Sequence, residues 1–166
     1  MKRSLLLLTV SLSAVAVLST GCSSSRKASR LEGRYSMADP GSGWRSVKPG
    51  GADNAWLNDD LGASIYTDSN CGVRYEDSEL RQLAERMTLG LEDEVEVSAE
   101  ESTLNGRSAF TRRVRGGIDG VPVELAATVI KKDQCVYDFV VIAPPSSFEA
   151  AWRGYTAARD GFRTKP

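Results

Sequence analysis

Two short turn signals in the second half of the chain constrain its fold more than any other feature. Asn105-Gly106 and Asp119-Gly120 each separate two runs in which apolar and polar residues alternate. Such pairs favour the type I′ turn, because both central residues of that turn have positive φ and its twist matches that of paired antiparallel strands. The sequence therefore predicts a series of β-hairpins between residues 95 and 141.

Counting outward from these turns gives the register of the predicted strands. The expected pairs of the first two hairpins are Val97–Val114, Glu96–Arg115, Ala99–Arg112, Glu124–Arg115, Leu125–Val114 and Val129–Phe110. A three-residue loop at Lys132-Asp133-Gln134 predicts the further pairs Val129–Tyr137, Ala127–Phe139 and Leu125–Val141. These registers collect one apolar face, and a slip of one residue would split it: Val95, Val97, Phe110, Val114, Leu125, Val129, Tyr137, Phe139 and Val141.

Helical spacing appears on both sides of the hairpins. A strand-like run at residues 63–67 is followed by apolar residues at Leu80, Leu83, Ala84, Met87 and Leu91, and a second helical stripe follows Pro144-Pro145 at Phe148, Ala151, Trp152, Tyr155 and Phe162. This order predicts an α+β fold with an antiparallel sheet. Its expected elements are N-terminal strands, a helix, a four-strand meander and a C-terminal helix, with both helices packed on one face.

The N-terminus has the composition of an export signal. Lys2 and Arg3 precede an apolar run that is too short to span a bilayer of about 30 Å. The run ends in Leu18-Ser19-Thr20-Gly21-Cys22, which resembles the lipobox of bacterial lipoproteins, although Ser19 stands where that motif prefers Leu. The resemblance implies that Cys22 carries the lipid; an ordinary secretory signal is the alternative.

The same resemblance implies a location, and composition predicts how the rest of the chain is divided. Ser23 follows Cys22, and in proteobacterial lipoproteins the absence of Asp at this place favours the outer membrane. The expected segments are a signal peptide at 1–21, a flexible tether at 22–43 that is rich in small and basic residues, and a folded domain at 44–166.

Composition excludes several classes of function. The chain of 166 residues has no histidine, which is the usual general base and the commonest metal ligand, and its net charge is −1. We therefore expect no catalytic set, no metal or other cofactor and no nucleic-acid partner. Besides Cys22 only Cys71 and Cys135 remain, and two distant cysteines in an exported chain predict a structural disulfide.

Three residues are candidates for binding. The predicted register places Arg112 on the apolar face between Ala99 and Ala127, where it could receive a carboxylate or carbonyl of a ligand. The alternative is an arginine that reaches an edge or pairs with Glu101. Trp44 and Trp56 could form an aromatic docking surface, with core packing as the alternative. No two carboxylates are expected together on an inward face, which argues against a glycan hydrolase.

The pattern from about residue 44 to 163 resembles the PsbP-like fold, on the strand 62–66, the hairpins and the terminal helix near Gly161-Phe162. Further segments resemble uncharacterised lipoproteins of delta-proteobacterial type: Gly62–Tyr66, Asn105–Arg107, Asp119–Val123 and Cys135–Asp138. PsbP-like domains act mostly as accessory or assembly factors. With the lipid anchor, the tether, the disulfide-closed domain and the missing catalytic set, the expected function is a non-catalytic accessory subunit of a cell-envelope complex, anchored in the outer membrane and facing the periplasm. The alternative is a small-ligand-binding lipoprotein with a pocket between the C-terminal helix and the sheet, anchored on Arg112.

Overall fold

A computed structural model describes residues 33–72 and 77–165 of the chain. The export signal with Cys22, and the predicted tether up to residue 32, lie outside these residues. The described elements, in chain order, are β1 (Tyr35–Ser36), β2 (Arg45–Val47), β3 (Asn54–Asn58), β4 (Ala63–Cys71), α1 (Leu80–Arg86), β5 (Glu92–Leu104), β6 (Arg107–Ile118), β7 (Val121–Lys132), β8 (Cys135–Ala143), α2 (Phe148–Asp160) and β9 (Arg163–Thr164).

Seven of the strands form one antiparallel sheet in the order β2-β3-β4-β8-β7-β6-β5, while β1 pairs with β9. Asn105, Gly106, Asp119 and Gly120 all have positive φ, as the predicted hairpin turns require. The α+β fold class and its antiparallel meander are therefore confirmed.

The predicted register of the β6–β7 hairpin is confirmed at all three pairs: Arg115–Glu124, Val114–Leu125 and Phe110–Val129. In the β5–β6 hairpin the Ala99–Arg112 pair is confirmed, but Glu96 lies opposite Val114 and Val95 opposite Arg115. Irregularities between Glu92 and Val95 and between Glu96 and Ser98 shift this register, and Val97 is left without a partner. β5 is an edge strand, where bulges are common.

The β7–β8 register differs from the prediction by one residue. The turn contains only Asp133 and Gln134, both with positive φ, so that Lys132 pairs with Cys135. Tyr137, Phe139 and Val141 therefore lie opposite Ile130, Thr128 and Ala126 rather than Val129, Ala127 and Leu125. Since side chains alternate along a strand, this shift moves the three residues to the other face of the sheet.

As a consequence the sheet is apolar on both faces and each face carries one helix. Helix α2 packs on the face of Tyr137 and Phe139, here called the α2 face. Helix α1 packs on the opposite face against Phe110, Val129 and Val136, here called the α1 face. The expectation that both helices share one face was wrong, because it rested on the shifted register.

The folded region begins before Trp44, where the sequence placed its boundary. Tyr35 is buried, and its hydroxyl forms a 2.7 Å hydrogen bond with the hydroxyl of Thr67. The Ala38 N–H donates to the Ala158 carbonyl at 3.3 Å, and Pro40 is buried beside α2. Residues 35–40 are thus packed on the domain rather than forming part of a tether.

The predicted disulfide is present and joins directly opposed residues of β4 and β8. Cys71 and Cys135 are 64 residues apart in sequence, with Cα atoms 4.0 Å apart. It fixes the start of β8 against the end of β4. Neither helix of residues 33–72 and 77–165 is long and apolar enough to cross a membrane.

Candidate functional site

Arg112 lies where the sequence predicts, on the α1 face between Ala99 and Ala127, and is 8% exposed. Its guanidinium donates to Glu94 Oε1 at 2.7 Å and to Glu96 Oε2 at 2.8 Å. It also donates to the Thr88 hydroxyl. Glu101, the partner considered from the sequence, lies opposite Phe110 instead. The buried charge of Arg112 is therefore balanced by the chain's own carboxylates.

These bonds give Arg112 a positioning role. Thr88 belongs to the loop after α1, and Glu94 and Glu96 belong to the irregular start of β5. The Arg112 side chain of β6 therefore forms hydrogen bonds along the segment 88–96. The hydrogen bond from Arg112 lowers the pKa of Glu94. The hydrogen bonds of Arg112 hold the start of β5 against the sheet.

Gly116 allows this segment to cross the sheet closely. A Cβ atom at this position would lie 2.8 Å from the Glu92 carbonyl oxygen and 3.1 Å from the Leu91 Cβ. Glu92 continues the contact at the neighbouring turn, where its Oε2 accepts from the Gly120 N–H at 3.1 Å. The loop after α1 and the β6–β7 turn are therefore adjacent.

The large apolar side chains exposed in the described part of the chain all lie in these two adjacent segments. They are Leu89 (79% exposed), Val95 (62%), Val97 (40%), Ile118 (43%) and Val121 (60%). We call this surface, residues 89–97 and 118–121, the apolar end. Leu89 and Ile118 line one groove and Val121 pairs with Ile118, whereas Val95 lies opposite Arg115 and therefore projects from the α2 face. Scattered exposed apolar residues are normal, but three such residues beside a groove are typical of an interaction surface.

A groove continues the apolar end onto the α1 face. It has a volume of about 390 Å³ and lies beside the loop after α1, with Leu89 and Ile118 among its lining residues. Its other apolar lining residues are Tyr66, Met87, Leu91, Leu125 and Ile142. The groove is open because α1 has only seven residues and ends at Arg86, over β6 and β7.

Acidic side chains surround the apolar end: Glu92, Asp93, Glu94, Glu96 and Asp119. Arg112 pairs with Glu94 and Glu96. Within residues 33–72 and 77–165, no lysine or arginine forms an ion pair with the other three. The apolar end is therefore negatively charged.

A second ionic cluster lies on the α2 face. Glu124 is fully buried and accepts hydrogen bonds from Arg113 and from Arg115, the latter at 2.7 Å. Arg113 also pairs with Glu149 of α2 and lies 4.3 Å from the centre of the Phe148 ring. The expected Arg115–Glu124 pair is confirmed, whereas Glu96 contacts Arg112 instead. This cluster joins α2 to the sheet.

Two carboxylates face each other on the α1 face, contrary to the sequence-based expectation. Asp68 of β4 and Asp138 of β8 are directly opposed. Burial, together with the charge of Asp68, raises the pKa of Asp138 to about 7. The shifted register had placed Asp138 on the wrong face. No group of three side chains suited to a metal ion occurs in the described residues.

Trp44 and Trp56 lie on the α2 side of the molecule, away from Arg112. Trp44 packs on α2 at Gly154, where a Cβ atom would come within 2.4 Å of the indole Nε1. Trp56 pairs with Ile65, and both tryptophans are half-buried against the main core. The structure thus does not bring the three candidate binding residues together.

The expected pocket beneath the C-terminal helix cannot use Arg112 as its anchor, because Arg112 lies on the opposite face. Phe148, Ala151 and Tyr155 of α2 are buried in the core. A polar cleft is present at the end of this helix, between Arg159, Asp160 and the β5–β6 turn.

Sequence reasoning missed the residues of the apolar end. Ile118 and Val121 flank the Asp119-Gly120 turn, and apolar residues beside an exposed turn were the available signal. Leu89 follows the helical stripe and was not distinguishable from a core residue, since only the end of α1 at Arg86 places it outside the helix.

No protein-family model and no curated protein matches this chain. Among solved structures, it is similar to LpqN, which is involved in cell envelope biogenesis of Mycobacterium tuberculosis (TM-score 0.59, 12% identity, 80% of this chain and 84% of that chain covered). It is also similar to the cyanobacterial PsbP protein CyanoP of Synechocystis sp. PCC 6803 (TM-score 0.59, 11% identity, 80% of this chain and 88% of that chain covered). A third similar structure is PA94 of Pseudomonas aeruginosa, a protein of unknown function (TM-score 0.54, 12% identity, 74% of this chain and 82% of that chain covered). At these identities the likeness shows the fold, which is PsbP-like.

Proposed function

We propose that this protein is a periplasm-facing lipoprotein, anchored in the outer membrane through Cys22, that serves as a non-catalytic accessory subunit of a cell-envelope complex. The observation that carries the binding role is the apolar end. Burying an exposed apolar side chain contributes about 25 cal/mol per Å², so the exposed Leu89, Ile118 and Val121 beside one groove favour docking of a protein partner.

The membrane anchor is supported by the sequence before the folded region. Cys22 lies at the end of the lipobox-like segment, and the described part of the chain starts at Gly33, so a short stretch separates the acylated residue from β1. The similarity in fold to LpqN, a protein involved in cell envelope biogenesis, supports an envelope location.

Fatty-acid labelling tests the anchor. Cells grown with an alkyne analogue of palmitate should incorporate it into the wild-type protein and not into the Cys22→Ala variant, and the wild-type protein should fractionate with outer membranes. A labelled Cys22→Ala variant, or an unlabelled wild-type protein, would refute anchoring at this residue.

The absence of catalysis has its own test. Asp68 and Asp138 are the arrangement in the described residues nearest to an acid–base pair, and a carboxyl with a pKa of about 7 could act as a general acid. We nevertheless expect no release of fragments when the purified protein is incubated with peptidoglycan. Turnover that disappears in the Asp138→Asn variant would contradict the proposal.

Docking is tested by purification from solubilised envelopes. The wild-type protein should retain one dominant envelope protein after stringent washing. Ile118→Glu should lose it, because a charge is added to the apolar end, while Ala157→Glu at an exposed position of α2 should retain it. Equal recovery from both variants would exclude the apolar end as the docking surface.

A further inference from the structure

We infer that the apolar end and its groove bind a basic protein segment that also carries apolar side chains. This inference rests on the proposed function and adds the chemistry of the partner. It follows from two properties of one surface: the exposed apolar residues and the acidic residues that surround them.

The charge at this surface is not neutralised by the described part of the chain. Arg112 pairs with both Glu94 and Glu96, which leaves one of their two negative charges uncompensated. Glu92, Asp93 and Asp119 have no ion-pair partner within residues 33–72 and 77–165. Asp93 and Asp119 are exposed, and Asp119 directly follows the exposed Ile118. A partner that covers the apolar residues must therefore approach these carboxylates, and lysine or arginine side chains complement them.

The same charge disfavours the other occupants of such a surface. Anionic lipid headgroups would be repelled by the exposed carboxylates. Two copies of this chain docked through their apolar ends would bring like charges together, which destabilises an interface. The surface therefore fits a basic protein segment better than a membrane or a second copy.

The local geometry indicates recognition by side chains rather than by strand addition. β5 is the edge strand of the sheet, but its irregularities between Glu92 and Val95 and between Glu96 and Ser98 interrupt the hydrogen-bonding edge at the apolar end. The groove lined by Tyr66, Leu125 and Ile142 is adjacent and can accept apolar side chains.

Photo-cross-linking in intact cells tests this inference. A photoreactive amino acid replaces Val121 in the full-length protein, and the cross-linked segment of the partner is sequenced by mass spectrometry. The same position is used in an Asp93→Asn/Asp119→Asn variant. Asparagine tolerates the positive φ of both positions, so this variant removes charge without straining the turns. Glu79→Gln/Glu100→Gln, at two exposed acidic residues outside the apolar end, is the matched control.

We expect adducts on a partner segment of net positive charge that contains apolar residues. Their yield should fall about fivefold in Asp93→Asn/Asp119→Asn and stay unchanged in the control variant. Adducts on a neutral or acidic segment, on lipid or on a second copy would overturn the inference, as would an unchanged yield in Asp93→Asn/Asp119→Asn. The complete absence of adducts at Val121 would instead refute the proposed docking function itself.

Discussion

Folding changes the ionisation of Asp138. Its pKa of about 7 is above the ordinary value of 3.8, because the side chain is buried and faces Asp68 across two strands. Between pH 4 and 7 the native state therefore binds more protons than the unfolded chain at this site. Its contribution to stability is fully present below about pH 4 and is lost as the pH rises to about 7.

The Asp138→Asn variant should remove this pH dependence. Between pH 4 and 8 the free energy of unfolding of the wild-type protein should fall relative to that of the variant by at most about 4 kcal/mol, since one pKa unit corresponds to about 1.4 kcal/mol. Urea unfolding at several pH values measures the difference, with Asp60→Asn as an exposed control. If the free energies of unfolding of Asp138→Asn and wild type differed by the same amount at every pH, the raised pKa of Asp138 would be contradicted.

Arg112 is predicted to stabilise the segment 88–96, to which it is hydrogen-bonded. Arg112→Gln should destabilise the protein by about 1–3 kcal/mol, because Glu94 and Glu96 lose their charged partner. Hydrogen exchange should accelerate in residues 88–97 more than in the distant strand β4. Uniform acceleration throughout the sheet would assign Arg112 a general structural role instead.

The sequence was informative about Arg112 and less so about its partners. The Asn105-Gly106 and Asp119-Gly120 turns predict its place between Ala99 and Ala127, which the structure confirms. Its contacts with Glu94 and Glu96 depend on the irregular start of β5, which the alternating pattern of an exposed edge strand does not reveal.

At the scale of elements, the β7–β8 hairpin shows where sequence reasoning reaches its limit. Strand β8 has apolar residues on both faces, with Val136 and Val140 on one and Tyr137 and Phe139 on the other. Hydrophobicity therefore could not choose between two registers, and Asp133-Gln134 lacks the glycine that marked the other turns. The position of α2 and the Asp68–Asp138 pair both depend on this choice.

The disulfide is predicted to stabilise the β4–β8 pairing. The double variant Cys71→Ala/Cys135→Ala should lose about 2–4 kcal/mol of unfolding free energy, because the bond closes a long loop and restricts the unfolded chain. Urea unfolding of the wild-type protein with reductant should give the same midpoint as the double variant. A loss below about 0.5 kcal/mol would show that strand pairing alone fixes this edge.

At the scale of the whole molecule, the short helix α1 leaves open the surface on which the proposed function depends. It covers part of one sheet face and leaves a groove beside an acidic, apolar end. The opposite face is closed by α2 and by a fully paired ionic cluster around Glu124. The molecule therefore has one side suited to stability and one end suited to a partner.

The proposed function requires that a partner covers the apolar end in the cell. We would test it by cysteine labelling with a membrane-permeant maleimide, comparing intact cells with purified protein. Val121→Cys should react at least about tenfold more slowly in cells than after purification, whereas Ala157→Cys on α2 should react equally fast in both. Equal labelling rates for Val121→Cys in intact cells and in purified protein would show that this surface is free and would rule out docking at the apolar end.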